Sequence, residues 1–217
     1  MILEKQPDTI LHLGAGRCSE FPEWDASGAT RIILVEADPE KARYLRATYG
    51  QDERVEVVER AVSGTGGAGT LRRLNVARFS SLGDASSLTG LYPGLRVLAE
   101  FPVVVASVSD LVTDFHISGD NPNWLVVETL GEEAAIIDRL RENGLLDRFG
   151  RVVVAAGAHS LHENGTPGED LIEALNSAGY EVTAHDIAGD PDIPRWVFQR
   201  DDVKIENGRL VSRVTEL

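Results

Sequence analysis

Short apolar runs of strand length alternate along the chain with segments of helical period. The runs are Thr9–Leu13, Arg31–Glu36, Val55–Arg60, Trp124–Glu128 and Val152–Ala156. Between them, residues from Pro39 to Tyr49 and from Glu132 to Asn143 carry helical patterns, and Gly144 stops the second. The runs are strand-length and nearly continuously apolar, which fits strands buried on both faces of a sheet. Strands separated by helices return in the same direction, so the alternation predicts an α/β fold built on a mainly parallel sheet. The rhythm changes near the end. A helix from Asp170 to Ala178 is followed by Tyr180–Asp186 and Arg195–Arg200, two strand-like runs with no helix between them. The tail around Asn207-Gly208 predicts a β-hairpin at about 203–214, because Asn-Gly suits a type I′ turn.

Two stretches break the pattern. Residues 64–83 are rich in Gly and Ser and contain Thr70–Leu74, which reads as a loop with a short strand or hairpin. Residues 84–100 show only a turn signal at Tyr92-Pro93-Gly94. After them, Val103–Ala106 is a short strand candidate, and Ser107 or Ser109 can cap a helix through Phe115. No repeat, low-complexity tract or linker divides the 217 residues, so a single domain over 1–217 is expected.

Charge and cysteine content narrow the partners. The formal net charge is −14, which repels phosphate backbones and anionic lipid and excludes strong nonspecific binding to nucleic acid. The lone cysteine, Cys18, permits no intrachain disulfide and fits a reducing compartment. The first residues lack the apolar core of a signal peptide, and no apolar run approaches the ~20 residues that span a bilayer. The expectation is a cytoplasmic protein with no membrane partner. Its oligomeric state is not readable.

The first strand runs into Gly14-Ala15-Gly16, and Glu36 ends the second strand, 22 positions after Gly14. Glycines there let the chain turn tightly and let a ligand approach the backbone. An acid at the next strand end can accept hydrogen bonds from both ribose hydroxyls. Together they point to an adenosine-containing ligand. A dinucleotide fingerprint would place a third glycine at Ser19, and Pro22 interrupts a long helix after the turn. Pyrophosphate binding at a helix start thereby loses support, whereas a sulfonium methyl donor needs no such geometry. Neither a Gly-x-Ser-x-Gly elbow nor a P-loop is present.

In order and spacing, four segments resemble FkbM-type methyltransferases, a branch of the class I S-adenosylmethionine-dependent enzymes. They are Leu11–Gly16, Val35–Pro39, Ala61–Gly64 with the later Ser80-Ser81-Leu82, and Leu125–Glu133. The resemblance implies a Rossmann-like methyltransferase sheet, mostly parallel, with one reversed strand near the C-terminus. It implies S-adenosyl-L-methionine as cofactor and methyl transfer to a hydroxyl of a small molecule, a sugar or a natural product. Gly14 and Gly16 would pass close to the amino-acid part of the cofactor. Glu36, with Ala37 beside it, would hold the ribose, and Ala61 and Val62 would lie near the adenine. Glu128 would face the reacting end of the cleft. The chain departs from the family pattern at His12, Val126 and Leu130, and Cys18 stands where many methyltransferases have a third glycine.

Several residues admit two readings. His12 either touches the cofactor amino group or is a buried structural group. Glu128 is either a general base or a helix-start carboxylate. Glu133 reads as a solvated helix-face residue. His159, with His162 and Glu163 nearby, reads as a substrate-side base or as part of an ordinary loop, and no metal-ligand spacing accompanies it. Trp24, Trp124 and Trp196 read as core. Two rival functions remain: a noncatalytic methyltransferase-like binding protein, favoured by His12, Val126 and Leu130, and an NAD-binding oxidoreductase, disfavoured by Ser19.

Overall fold

A computed structural model describes residues 6–84, 86–157, 162, 165–186, 192–200, 204–206 and 209–211. The strands in chain order are β1 (Thr9–Leu13), β2 (Arg31–Glu36), β3 (Val55–Glu59), β4 (Ala61–Ser63), β5 (Gly67–Leu74), β6 (Val97–Ser107), β7 (Asn123–Val127), β8 (Arg151–Ala155), β9 (Tyr180–Asp186), β10 (Arg195–Arg200), β11 (Lys204–Glu206) and β12 (Arg209–Val211). The helices are α1 (Phe21–Ala26), α2 (Pro39–Tyr49), α3 (Ser86–Leu91), α4 (Val108–Asp114), α5 (Glu133–Glu142) and α6 (Gly168–Ser177).

Seven strands form the main sheet in the order β3-β2-β1-β7-β8-β10-β9. The first five run parallel, and β10 is inserted antiparallel to both β8 and β9. The sheet is therefore mostly parallel with one reversed strand near the C-terminus, as the sequence pattern and resemblance imply. β11 and β12 pair antiparallel with each other.

Alternate residues of the central strands feed two cores, as the two-residue side-chain period of a strand requires. Leu11, Leu13, Ile33, Leu125 and Val127 pack with α4, α5 and α6 residues on one face. Ile10, Ile32, Leu34, Trp124 and Val126 pack with Trp24 of α1 and Leu45 of α2 on the other. Trp24 and Trp124 are thus core residues. Trp196 is half-buried and stacks on His185 at 3.6 Å between ring centroids.

The irregular stretch is more ordered than its sequence suggests. β5 makes one local antiparallel bridge, Arg72 to Ser81, but pairs along its length with β6, which is eleven residues long and not the short strand expected at Val103–Ala106. β4 joins β6 in parallel only at Val105–Ser107, giving a separate three-stranded sheet. At Pro102 one side of β6 is therefore unpaired, a position where a strand tolerates proline. α3 occupies part of the stretch that sequence left blank. Leu74, Phe79, Leu88 and Leu95 of this insertion pack with Leu130, Ala155 and Ile193 in a third, smaller core over the carboxyl ends of the main strands. Pro22 opens the six-residue α1 and interrupts no longer helix, and Ser107, not Ser109, precedes α4. Among the described residues no helix is long and apolar enough to cross a membrane.

Candidate active site

The glycine turn is built by close approach. Gly14 has φ +77°, and a Cβ on it would lie 2.3 Å from the Glu128 carbonyl oxygen. Its amide and that of Ala15 both donate to the Val35 carbonyl, at 2.9 and 3.0 Å, tying the end of β1 to β2. Gly16, at φ +60°, faces open space where a side chain would stand. Cys18, at φ +51°, also adopts the left-handed region, which favours glycine.

Glu36 sits against this turn. Its Oε2 accepts from the Gly16 amide at 2.6 Å and its Oε1 from the Asp38 amide at 2.7 Å. A carboxylate has about four lone-pair sites, so the two bonds leave acceptor capacity over. Burial pushes the Glu36 carboxyl up, against the pull of Lys41 and the two backbone donors.

The turn and Glu36 form one wall of an open cleft of about 530 Å³ at the carboxyl ends of the main strands. That is the size and place of a small-molecule site in an open α/β sheet, where such sites measure about 300–1,000 Å³. Gly14, Gly16, Glu36, Ala37, Ala61, Val62 and Glu128, the residues singled out in the sequence, all line it. The roof comes from the second sheet and its following loop, through Leu71 and Ser80-Ser81-Leu82.

His12 does not line the cleft. The alternation of β1 turns it beneath the glycine turn, fully buried and edge-on to Trp24 at 5.9 Å. Its Nε2 lies 3.5 Å from Glu128 Oε2, and its Nδ1 lies 3.8 Å from Cys18 Sγ. Burial alone would strip its proton, but Cys18 and Glu128 outweigh burial and push its pKa up to about 10. Of its two readings, the buried structural group is the one this geometry matches.

Glu128 stands between two cations. Besides His12, Arg195 at the start of β10 places Nε 2.9 Å from Glu128 Oε1. Burial would raise the Glu128 carboxyl, yet His12 and Arg195 outweigh it and hold it below the usual carboxylate range. A carboxylate neutralised from both sides is a poor proton acceptor. The geometry therefore suits a fixed, orienting charge better than a general base.

Leu130 at φ +50° and Gly131 at φ +119° turn the chain sharply before α5. That turn directs Glu133 inward, where it is only 3% exposed, contrary to the solvated helix face expected of it. Its carboxylate accepts from the Gly131 amide at 2.7 Å and from the Thr129 hydroxyl at 2.9 Å, and so closes the turn. Burial pushes its carboxyl up. Its neighbour Glu132 instead lines the cleft, half-buried; its carbonyl accepts from the Ile136 amide at 2.9 Å, but its carboxylate has no hydrogen bond or ion pair to any described residue.

His159 and Glu163 lie outside the described residues. His162 is buried against Gly83 and Gly131, away from the large cleft, and burial lowers its pKa. Among the described residues no group of three His, Cys, Asp or Glu side chains is placed to hold a metal. Sequence reasoning passed over Arg195 and Glu132. Only the doubled acid after Gly131 hinted at the second, and nothing near Arg195 in the chain marked the first.

No family model and no curated protein matches the chain. Among solved structures it is similar to methyltransferase FkbM from Methylobacillus flagellatus KT, with 11% identity and a TM-score of 0.55 over 88% of this chain and 44% of that one. The chain thus spans less than half the length of that relative. It is also similar to a SAM dependent methyltransferase from Aquifex aeolicus, with 12% identity and a TM-score of 0.43 over 90% of this chain and 82% of that one. Aeropyrum pernix fibrillarin, solved with natively bound S-adenosyl-L-methionine, shows 15% identity and a TM-score of 0.44 over 89% of this chain and 67% of that one. On the sheet order and the first of these likenesses, the chain has the Rossmann-like fold of class I methyltransferases.

Proposed function

We propose that this protein is an S-adenosylmethionine-dependent methyltransferase of the FkbM type, acting as a single domain on a hydroxyl of a small molecule or sugar. The observation that carries this reading is Glu36 bonded to the Gly16 amide on the wall of an open cleft. The residues fit the cofactor. Gly16 leaves room where a side chain would intrude, and the spare lone pairs of Glu36 suit two ribose hydroxyls. When bound, S-adenosylmethionine supplies an electrophilic methyl group on sulfur.

The chain's own residues would do the rest by placement. Gly14 and Gly16 give the amino-acid end a path along the backbone. Ala37, Ala61 and Val62 would border the adenine. Glu128, fixed by His12 and Arg195, sets a constant negative charge at the strand end. Alignment of methyl and acceptor supplies most of the rate in this scheme.

One observation favours a second reading, a noncatalytic binding protein. Glu128 is neutralised on both sides, and the neighbouring Leu130 is packed into the third core. An oxidoreductase gains nothing from the fold, because α1 is six residues long and begins only at Phe21.

Calorimetric titration with S-adenosylmethionine, S-adenosylhomocysteine and NAD tests the proposal. Micromolar binding of the first two is expected, and Glu36→Ala should weaken both about 10-fold or more through loss of charge-assisted hydrogen bonds. Binding of NAD alone overturns the reading. Binding of the sulfur compounds without methyl transfer to any hydroxylated acceptor selects the noncatalytic alternative.

A further inference from the structure

The cleft has several carboxylates, and all but one are engaged. Glu36 holds two backbone amides, Asp38 holds Arg73, and Glu128 holds His12 and Arg195. Glu20 accepts from the Ser19 hydroxyl, and Asp186 is partnered too. Glu132 is the exception among the described residues. It lines the cleft four positions beyond Glu128, half-buried, as the residue that precedes the first turn of α5, and it caps no backbone amide. Leu82, Leu130, Ala155 and Ile193 give the cleft apolar lining, alongside the polar Ser80 and Ser81 and the already partnered Arg195 and Asp186.

A half-buried carboxylate with no cationic partner is a better proton acceptor than one held between cations. Burial and the neighbouring Glu133 both push the Glu132 carboxyl up, which brings it closer to the basicity that such work requires. Glu128 is pushed the other way by its two partners.

We infer that Glu132 is the catalytic residue that accepts the proton of the acceptor hydroxyl, with Glu128 confined to positioning. This rests on the methyltransferase reading above. In the step, the acceptor oxygen forms a bond to the methyl carbon. The carbon–sulfur bond breaks with its electron pair left on sulfur, and the hydroxyl proton passes to a Glu132 oxygen. A positive sulfonium and a negative carboxylate become a neutral thioether and a neutral acid, so charge balances without another reactant.

The test needs no knowledge of the acceptor. Sinefungin carries an amine in place of the transferring methyl, so its ammonium would meet a carboxylate facing that point. Calorimetry at pH 8 on wild type should show sinefungin bound about 10-fold more tightly than S-adenosylhomocysteine, the scale of a half-buried charged hydrogen bond. Glu132→Gln should abolish that preference and leave the affinity for S-adenosylhomocysteine unchanged, and Glu132→Asp should restore part of it. A preference that survives in Glu132→Gln overturns the assignment. So does an equal weakening of both ligands, which would mark a structural role. If wild type binds neither compound, the cofactor reading itself has failed. If wild type binds both equally, only the role of Glu132 has failed.

Discussion

His12 and Glu128 hold opposite charges where His12 has no contact with water. Each depends on the other, and pH decides when the pair exists. The His12 contribution to stability is complete below the ordinary imidazole value of 6.5 and is lost as pH rises through about 10. The Glu128 contribution is complete above the ordinary carboxylate value of 4.5 and is lost as pH falls through its lowered value. Both are whole only between those two ordinary values. Removing one partner of a buried pair costs about 3–5 kcal/mol, so His12→Gln should lose on the order of 3 kcal/mol at pH 6. Urea denaturation at pH 6, 8 and 10 should show the gap from wild type closing as pH rises. A gap of constant size would mean that His12 packs as a neutral ring. This pair also shows what a sequence conveys at this scale. Gly14, Gly16 and Glu36 are legible because their chemistry is local: a turn after one strand and an acid at the end of the next. The ion pair of Glu128 with Arg195 is not legible, because only the insertion of β10 beside β8 brings Arg195 to the end of β7. The place of His12 in the chain leaves both of its readings open, and the alternation of β1, which buries it against Trp24, decides between them.

Among the elements, one arginine joins the second sheet to the start of α2, the helix that follows β2. Arg73 on β5 donates from Nε to Asp38 Oδ2 at 2.7 Å, pairs through its other nitrogens with Asp38 Oδ1 and Glu40, and lies over the Phe101 ring. Asp38 is the N-cap of α2, and its side chain is almost wholly buried. Burial would raise the Asp38 carboxyl, but Arg73 outweighs it and holds it low. Arg73→Leu should therefore cost about 2 kcal/mol, the range of a hydrogen bond to a charged group. Hydrogen exchange should quicken over Gly67–Leu74 and remain unchanged over Thr9–Leu13. Equal quickening in both strands would show that the sheets open as one unit and that Arg73 is no local tie. The strands of the main sheet were legible because burial on both faces leaves continuous apolar runs. β5 and β6 were not. β5 opens on small residues and closes on Leu-Arg-Arg-Leu, β6 is almost wholly apolar although half of it meets solvent, and each finds its partner more than twenty residues away, beyond any local signal.

For the whole molecule, the cleft belongs to no single element. The β1–β2 side supplies the glycine turn and Glu36, the second sheet supplies the roof, and the ends of β7, β8 and β10 supply the far wall. A ligand that touches all three is lost only when they part, so its binding energy adds to global stability by mass action. At a concentration about 100 times its dissociation constant a ligand contributes about 2.7 kcal/mol. For a domain of this size each kcal/mol moves Tm by about 2–4 °C, so S-adenosylhomocysteine should raise Tm by about 5–10 °C. The same concentration should give a much smaller rise in Glu36→Ala, whose weaker site is further from saturation. In Arg73→Leu, which loosens the roof and leaves Glu36 in place, the rise should fall only in part. That ordering of the three proteins distinguishes a cleft closed around an adenosyl group from a surface that binds it in passing. A rise with NAD and none with S-adenosylhomocysteine would assign the cleft to a pyrophosphate ligand, although the first helix is set back from the glycine turn.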